Sequence, residues 1–178
     1  MTKRMVFSGY GGQGVLVLGE IVATIAMHKG KEVTWMPSYG PEMRGGTANC
    51  SVIISDKVIG SPIVQADIDV LVAMNIASIN KFLPKVKSGG LVLVNSSIVT
   101  DKILRTDVDV LEIDATNIAG KVGSLRVANM VMLAGFLKKT DLFTLEDITE
   151  VLKQRFAGAR SQELVPLNIK AIEIGMGR

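Results

Sequence analysis

The stretch Val6-Phe7-Ser8-Gly9-Tyr10-Gly11-Gly12-Gln13-Gly14-Val15-Leu16 decides how the chain is read. An apolar, strand-like run ends in a loop holding four glycines, and a helix-like apolar run follows at once. Backbone N–H groups in such a loop are not covered by Cβ atoms and sit at the positive end of the helix. That geometry accepts an anion, usually a phosphate. Gly9, Gly11 and Gly14 also keep the G-x-G-x-x-G spacing of dinucleotide-binding folds. The bland reading is a tight strand-to-helix turn whose glycines serve packing alone.

Outward from this segment, Arg4 to Ser8 reads as the first strand and Val15 to Lys29 as the first helix, stopped by Gly30. Glu20, Thr24 and His28 form a thin polar stripe on that helix, so most of its surface is buried. His28 stands where a C-terminal cap is wanted. Glu32 to Met36 reads as a strand, and Pro37 to Gly46, with its prolines and glycines, as a shaped loop. Thr47 to Ser55 reads as a strand, Asp56-Lys57 as a turn, and Val58-Ile59-Gly60 as a returning antiparallel segment. Asp69 to Met74, Leu91 to Val94 and Val108 to Ile113 read as further strands, the first two of them apolar runs buried on both faces. Helices are expected at Ile76–Phe82, Asn117–Lys121, Leu125–Lys138, from the Thr144 cap to about Gln154, and at Pro166–Ile174. The predicted fold is a single α/β domain over 1–178. It is a three-layer sandwich with a mainly parallel or mixed sheet and helices on both faces.

Composition narrows the function. Hydrophobic residues make up 48% of the 178 and the mean hydropathy is +0.36, yet no apolar run is long enough to span a bilayer. With no signal-peptide pattern, a cytoplasmic protein that buries apolar surface against partner subunits is expected, with no membrane association. The net charge of +3 comes from scattered basic residues with few aromatics, which does not support nucleic acid binding. Cys50 is the single cysteine and His28 the single histidine. An iron–sulfur cluster, a histidine metal site and a Ser–His pair are therefore not expected, and Cys50 reads as a buried structural thiol.

A nicotinamide dinucleotide lacks its second anchor. A ribose-binding carboxylate should stand at the carboxyl end of the second strand. That end is Pro37-Ser38-Tyr39, and Glu32 is at the wrong end.

Two motifs together are more specific. Gly9-Tyr10-Gly11-Gly12-Gln13-Gly14, followed by Ser38-Tyr39-Gly40-Pro41-Glu42-Met43-Arg44-Gly45-Gly46, closely resembles the gamma subunit of 2-oxoacid:ferredoxin oxidoreductases. Asn129-Met130-Val131-Met132-Leu133-Ala134-Gly135 resembles a later helix of the same family. The resemblance implies a non-catalytic gamma subunit of a thiamine-dependent complex. That complex converts a 2-oxoacid and coenzyme A (CoA) to an acyl-CoA and carbon dioxide and reduces ferredoxin. It places thiamine diphosphate, Mg and the iron–sulfur clusters on alpha, beta and, where present, ferredoxin-like delta partner subunits. It leaves this chain inactive alone, with a homodimer as one state of the isolated chain. Overall likeness inclines to 2-oxoglutarate among pyruvate, branched-chain and other oxoacids. The competing reading is a free-standing NAD(P)-dependent reductase.

Candidate site residues follow. Gly11, Gly12, Gln13 and Gly14 offer N–H donors to a phosphate of CoA or thiamine diphosphate, and the Gln13 amide can also donate and accept. Arg44, with Gly45 behind it, is the candidate for anion recognition, against a surface Arg on a loop. Glu42 pairs with Arg44 or is merely solvated, and Tyr39 stacks or hydrogen-bonds at an interface. Asn129, set among apolar residues, must be hydrogen-bonded in a structural or site role. Asn75 and Asn95 end buried strands, with a helix cap favoured for Asn75.

Overall fold

The computed structural model describes residues 1–39, 46–158 and 163–177. Six strands form one sheet: β1 (Thr2–Tyr10), β2 (Glu32–Tyr39), β3 (Thr47–Ser55), β4 (Ile68–Ala73), β5 (Val86–Asn95) and β6 (Asp109–Ile113). Six α-helices accompany them: α1 (Val15–His28), α2 (Ile76–Phe82), α3 (Ala115–Val122), α4 (Ala128–Thr140), α5 (Leu145–Arg155) and α6 (Leu164–Gly175). The sheet order is β2-β3-β1-β4-β5-β6. Strands β1, β4, β5 and β6 run parallel, while β3 is antiparallel to both β1 and β2.

The expected mixed three-layer fold is present, with local differences. Strand β2 continues through Pro37 to Tyr39, where the shaped loop was expected to begin, because Pro37 stands at a ladder position that needs no N–H toward β3. Val58–Gly60 forms no strand, because β3 already has β1 on one side and β2 on the other. The segment expected as one helix from Leu125 is a 3₁₀ turn at Leu125–Val127 followed by α4. The Ser124 hydroxyl accepts from the Arg126 N–H within that turn. Elsewhere the local signals hold. Thr144 and Asp147 form a reciprocal capping box on α5, and Asn75 accepts from the Ser78 N–H at 2.8 Å to cap α2.

The core lies on both faces of the sheet. Every residue of β4 is buried, as expected of a central parallel strand. Met5, Phe7, Val70, Val72 and Leu93 pack under α1, α4 and the outer helices, where the Phe7 and Phe136 rings lie 6.1 Å apart. Val6, Leu71, Ala73, Val92 and Val94 face α2 and apolar residues of irregular segments such as Val64 and Val99. No helix of the described residues is long and apolar enough to cross a membrane.

Cys50 lies fully buried between β3 and α1, its thiol directed at the Val15 carbonyl at 3.6 Å. Burial pushes the thiol up to about 12, outweighing hydrogen bonds from Trp35 and Gly19. The folded protein thus holds this proton more tightly than the unfolded chain. The associated stability is complete below the unfolded value of 9.0 and is lost as pH rises from there toward about 12. Cys50 is expected to resist alkylation at mildly alkaline pH until denaturant is added. Mass spectrometry of the iodoacetamide-treated protein, with and without urea, checks this.

Candidate functional site

Strand β1 sits where the sheet changes character, with antiparallel β3 on one side and parallel β4 on the other. From its carboxyl end the chain leaves through α1 toward β2, whereas β4 continues toward β5 and β6 on the opposite side. Ligands of open α/β sheets gather at such switch points. The glycine loop occupies this one.

Three contacts fix the loop. Gln13 folds back over Gly9: its Oε1 accepts from the Tyr10 N–H at 2.6 Å, and its Nε2 donates to the Met74 carbonyl at 3.3 Å. Asn75 Nδ2 also donates to Gln13 Oε1 at 3.5 Å. Gly11 donates its N–H to the Gly46 carbonyl at 2.9 Å. From the start of α4, Asn129 donates Nδ2 to the Gly14 carbonyl at 3.2 Å, while its Oδ1 accepts from the Met130 N–H. The loop is thereby tied to β4, to the start of β3 and to α4.

These bonds reassign part of the expected donor set. The Gly11 N–H is taken by Gly46 and the Gln13 N–H by the Tyr10 carbonyl at 3.1 Å. The Gln13 side chain shapes the loop and is already occupied in both its roles. Among the described residues, the N–H groups of Gly12 and Gly14 have no such partner. They precede the first turn of α1, which has neither an acidic side chain nor a side-chain cap. The uncovered helix terminus favours negative charge. A Cβ on Gly12 would meet nothing within 4 Å among the described residues, which leave the space above it open.

Asn129 is buried and fully bonded as expected, and it belongs to the loop's support. Tyr39 closes β2, paired with Ala48. Glu42, Arg44 and Gly45 lie outside the described residues. The flank after their segment is at this edge, because Tyr10 pairs with Thr47 and Gly11 bonds Gly46. The last residue of the second motif, Gly46, therefore touches the first. Asn95, fully buried at the end of β5, donates to the Thr116 hydroxyl at 2.9 Å and ties β5 to α3. Gly46 and Met74 were missed as contributors because they act through main-chain carbonyls, which side-chain identity does not announce.

The rest of the surface offers weaker alternatives. A cavity of about 240 Å³ at the opposite end of the sheet is lined by Lys3, Asp69, Lys87, Asp109 and Lys139. Lys87 pairs with Asp69 at 2.5 Å and Lys139 with Asp109 at 2.8 Å, so these cations already have partners. Among the described residues no three His, Cys, Asp or Glu side chains gather to hold a metal. The dinucleotide arrangement also lacks its geometry. The strand beside β1 on the α1 side is antiparallel β3, not a parallel second strand ending in a ribose-binding carboxylate.

Comparison with known proteins agrees with the two-motif reading. The family described as pyruvate ferredoxin/flavodoxin oxidoreductase matches residues 4–177. The chain belongs to that family. It is 39% identical over 174 residues to the ketoisovalerate oxidoreductase subunit VorA of Methanothermobacter thermautotrophicus, covering 97% of this chain but only 35% of that relative. It is 37% identical to the 2-oxoglutarate synthase subunit KorC of Methanocaldococcus jannaschii, covering 85% of this chain and 82% of the relative. The crystal structure of a keto/oxoacid ferredoxin oxidoreductase gamma subunit from Geobacter sulfurreducens superimposes with a TM-score of 0.82. That match has 32% identity and covers 98% and 96% of the two chains.

The loop geometry separates two glycines that look alike in sequence. Both Gly12 and Gly14 have positive φ, 97° and 75°. A Cβ on Gly14, unlike one on Gly12, would collide with the Asn129 amide. Gly12→Ala is expected to lower stability by about 1–2 kcal/mol from left-handed strain alone. Gly14→Ala is expected to cost about 1–3 kcal/mol more from the collision. Asn129→Ala in the Gly14→Ala background should restore part of that difference. Urea unfolding of the three variants measures it.

Proposed function

We propose that this chain is the gamma-type component of a 2-oxoacid:ferredoxin oxidoreductase, completing an active site whose redox chemistry is supplied by partner subunits. Thiamine diphosphate on such a partner would supply the decarboxylation chemistry. This chain's part is to bind and orient an anionic group. The observation that carries the reading is the pair of N–H groups at Gly12 and Gly14, without partners among the described residues, with open space over Gly12. They stand on the positive end of α1 at the sheet's switch point. A phosphate of CoA or thiamine diphosphate fits that donor set. Arg44, in the segment that leads into Gly46, is the proposed charged partner, with Glu42 and Tyr39 as further candidates. The high apolar content is accounted for by burial against alpha and beta subunits, with ferredoxin as the electron acceptor. A cytoplasmic location accords with this role.

The oxoacid is not singled out. The relatives carry the names ketoisovalerate and 2-oxoglutarate, and this chain resembles both. Nothing adds to the inclination toward 2-oxoglutarate. Specificity is assigned to the partner chains.

The test uses the assembled complex. Gly12→Val meets no described atom at its Cβ, but adds strain at a positive φ, covers the loop's N–H groups and stiffens the turn. The variant is expected to assemble and to show at least about tenfold lower kcat/KM for CoA, as loss of a contact to a charged group implies. Arg44→Ala is expected to lower it by about 10- to 150-fold, the equivalent of about 1.5–3 kcal/mol. CoA titrations at equal subunit stoichiometry give the values. Wild-type curves from both variants would reduce the loop to a turn.

A further inference from the structure

The outer edge of β2 carries a pattern that none of the catalytic argument uses. Pro37 lies within an unbroken ladder, paired with Cys50 of β3, yet has no N–H. A proline is accommodated there only if its main chain faces away from β3. With a period of two, Val33 and Trp35 face outward as well. Among the described residues no strand pairs with this edge. It is also apolar. Trp35 and Met36 are about 40% exposed and Met27 of α1 is 59% exposed. Between α1 and β2 runs a groove of about 210 Å³ lined by Ala23, Thr24, Met27, Val33 and Trp35.

We infer that this edge is self-complementary and that two copies of the chain pair through β2, antiparallel, with Val33 of each opposite Trp35 of the other. One register alone satisfies the outward N–H and carbonyl of both Val33 and Trp35. With Val33 against Trp35 of the second copy, the N–H and the carbonyl of both residues are bonded. A shift that sets Trp35 against Trp35 puts Val33 opposite Pro37, which has no donor. The opposite shift brings in Lys31, whose N–H is already bonded to the Ala26 carbonyl at 3.1 Å. Charge agrees with the antiparallel sense. Lys29, Lys31 and Glu32 all stand at the amino end of the strand, and the pairing sets them beside the uncharged Pro37-Ser38 of the second copy. The two-fold axis passes between the Thr34 residues. Their hydroxyls, buried and without partners among the described residues, can bond each other after a χ1 rotation. The two α1 grooves then flank the joined strands on one face, covering Trp35 and Met27. The other sheet edge is unlike this one. Strand β6 is short, and the groove beside it is rimmed by Glu112, Asp114, Lys138 and Lys139, charges that oppose sheet extension.

Sedimentation velocity of the full chain over a wide concentration range is the test, with Trp35 emission as a second readout. Trp35 is the only tryptophan, so its fluorescence reports the interface alone. The expected result is a reversible monomer–dimer equilibrium, with emission shifting to the blue as the dimer forms. Val33→Pro removes one outward donor per copy without touching the β2–β3 ladder, and should weaken the dimer at least about tenfold. Met27→Glu, at an exposed helix position, should weaken it comparably while circular dichroism stays unchanged. A chain monomeric at every concentration overturns the inference. So does a dimer insensitive to both variants, or an edge that pairs only with a strand of a different protein.

Discussion

The structure depends on the position of β1. Its Met5, Val6 and Phe7 are buried on both faces, so β1 needs a strand on each side and a covering layer above and below. Strand β3 satisfies one edge in antiparallel sense and β4 the other in parallel sense. That junction makes the carboxyl end of β1 a place where the neighbouring connections diverge, the kind of place where ligands of open α/β sheets gather.

The loop at that end is held by polar contacts of modest individual strength. Gln13 reaches β4, Gly11 reaches Gly46, and Asn129 reaches Gly14 from the first turn of α4. Each net contribution is on the order of 1 kcal/mol. Together they fix a short segment that has no side chains of its own to pack. The result is a preformed pair of main-chain donors, unpartnered among the described residues, beside a helix terminus, with its support in side chains from other elements.

On the proposed function, the same economy lets a small chain serve a larger complex. It needs no metal cluster or nucleophile if its part is to orient a charged group and to bury apolar surface against other chains. The single buried cysteine, pinned against Val15 and pushed far above the range in which a thiol reacts, belongs to the packing of α1 on β3.

Much of the fold was legible in sequence. The apolar runs of β1 and β4, the thin polar stripe of α1, the Thr144–Asp147 box and the Asn75 cap are local signals, and local physics realised them. The glycine loop was legible for the same reason, since a strand, an uncovered turn and a helix are read from adjacent residues. The antiparallel insertion of β3 beside β1 was not, because strand neighbours are set by which edges remain open after collapse. Gln13 as an internal latch was not legible either. Its amide could serve a ligand or the chain, and only the nearby Tyr10 N–H and Met74 carbonyl decided between them. The sequence by itself determined the elements, the burial of the central strands and the family. The tertiary structure alone decided which loop donors and which sheet edge have no partner among the described residues, because both depend on groups far apart in the chain competing for the same hydrogen bonds.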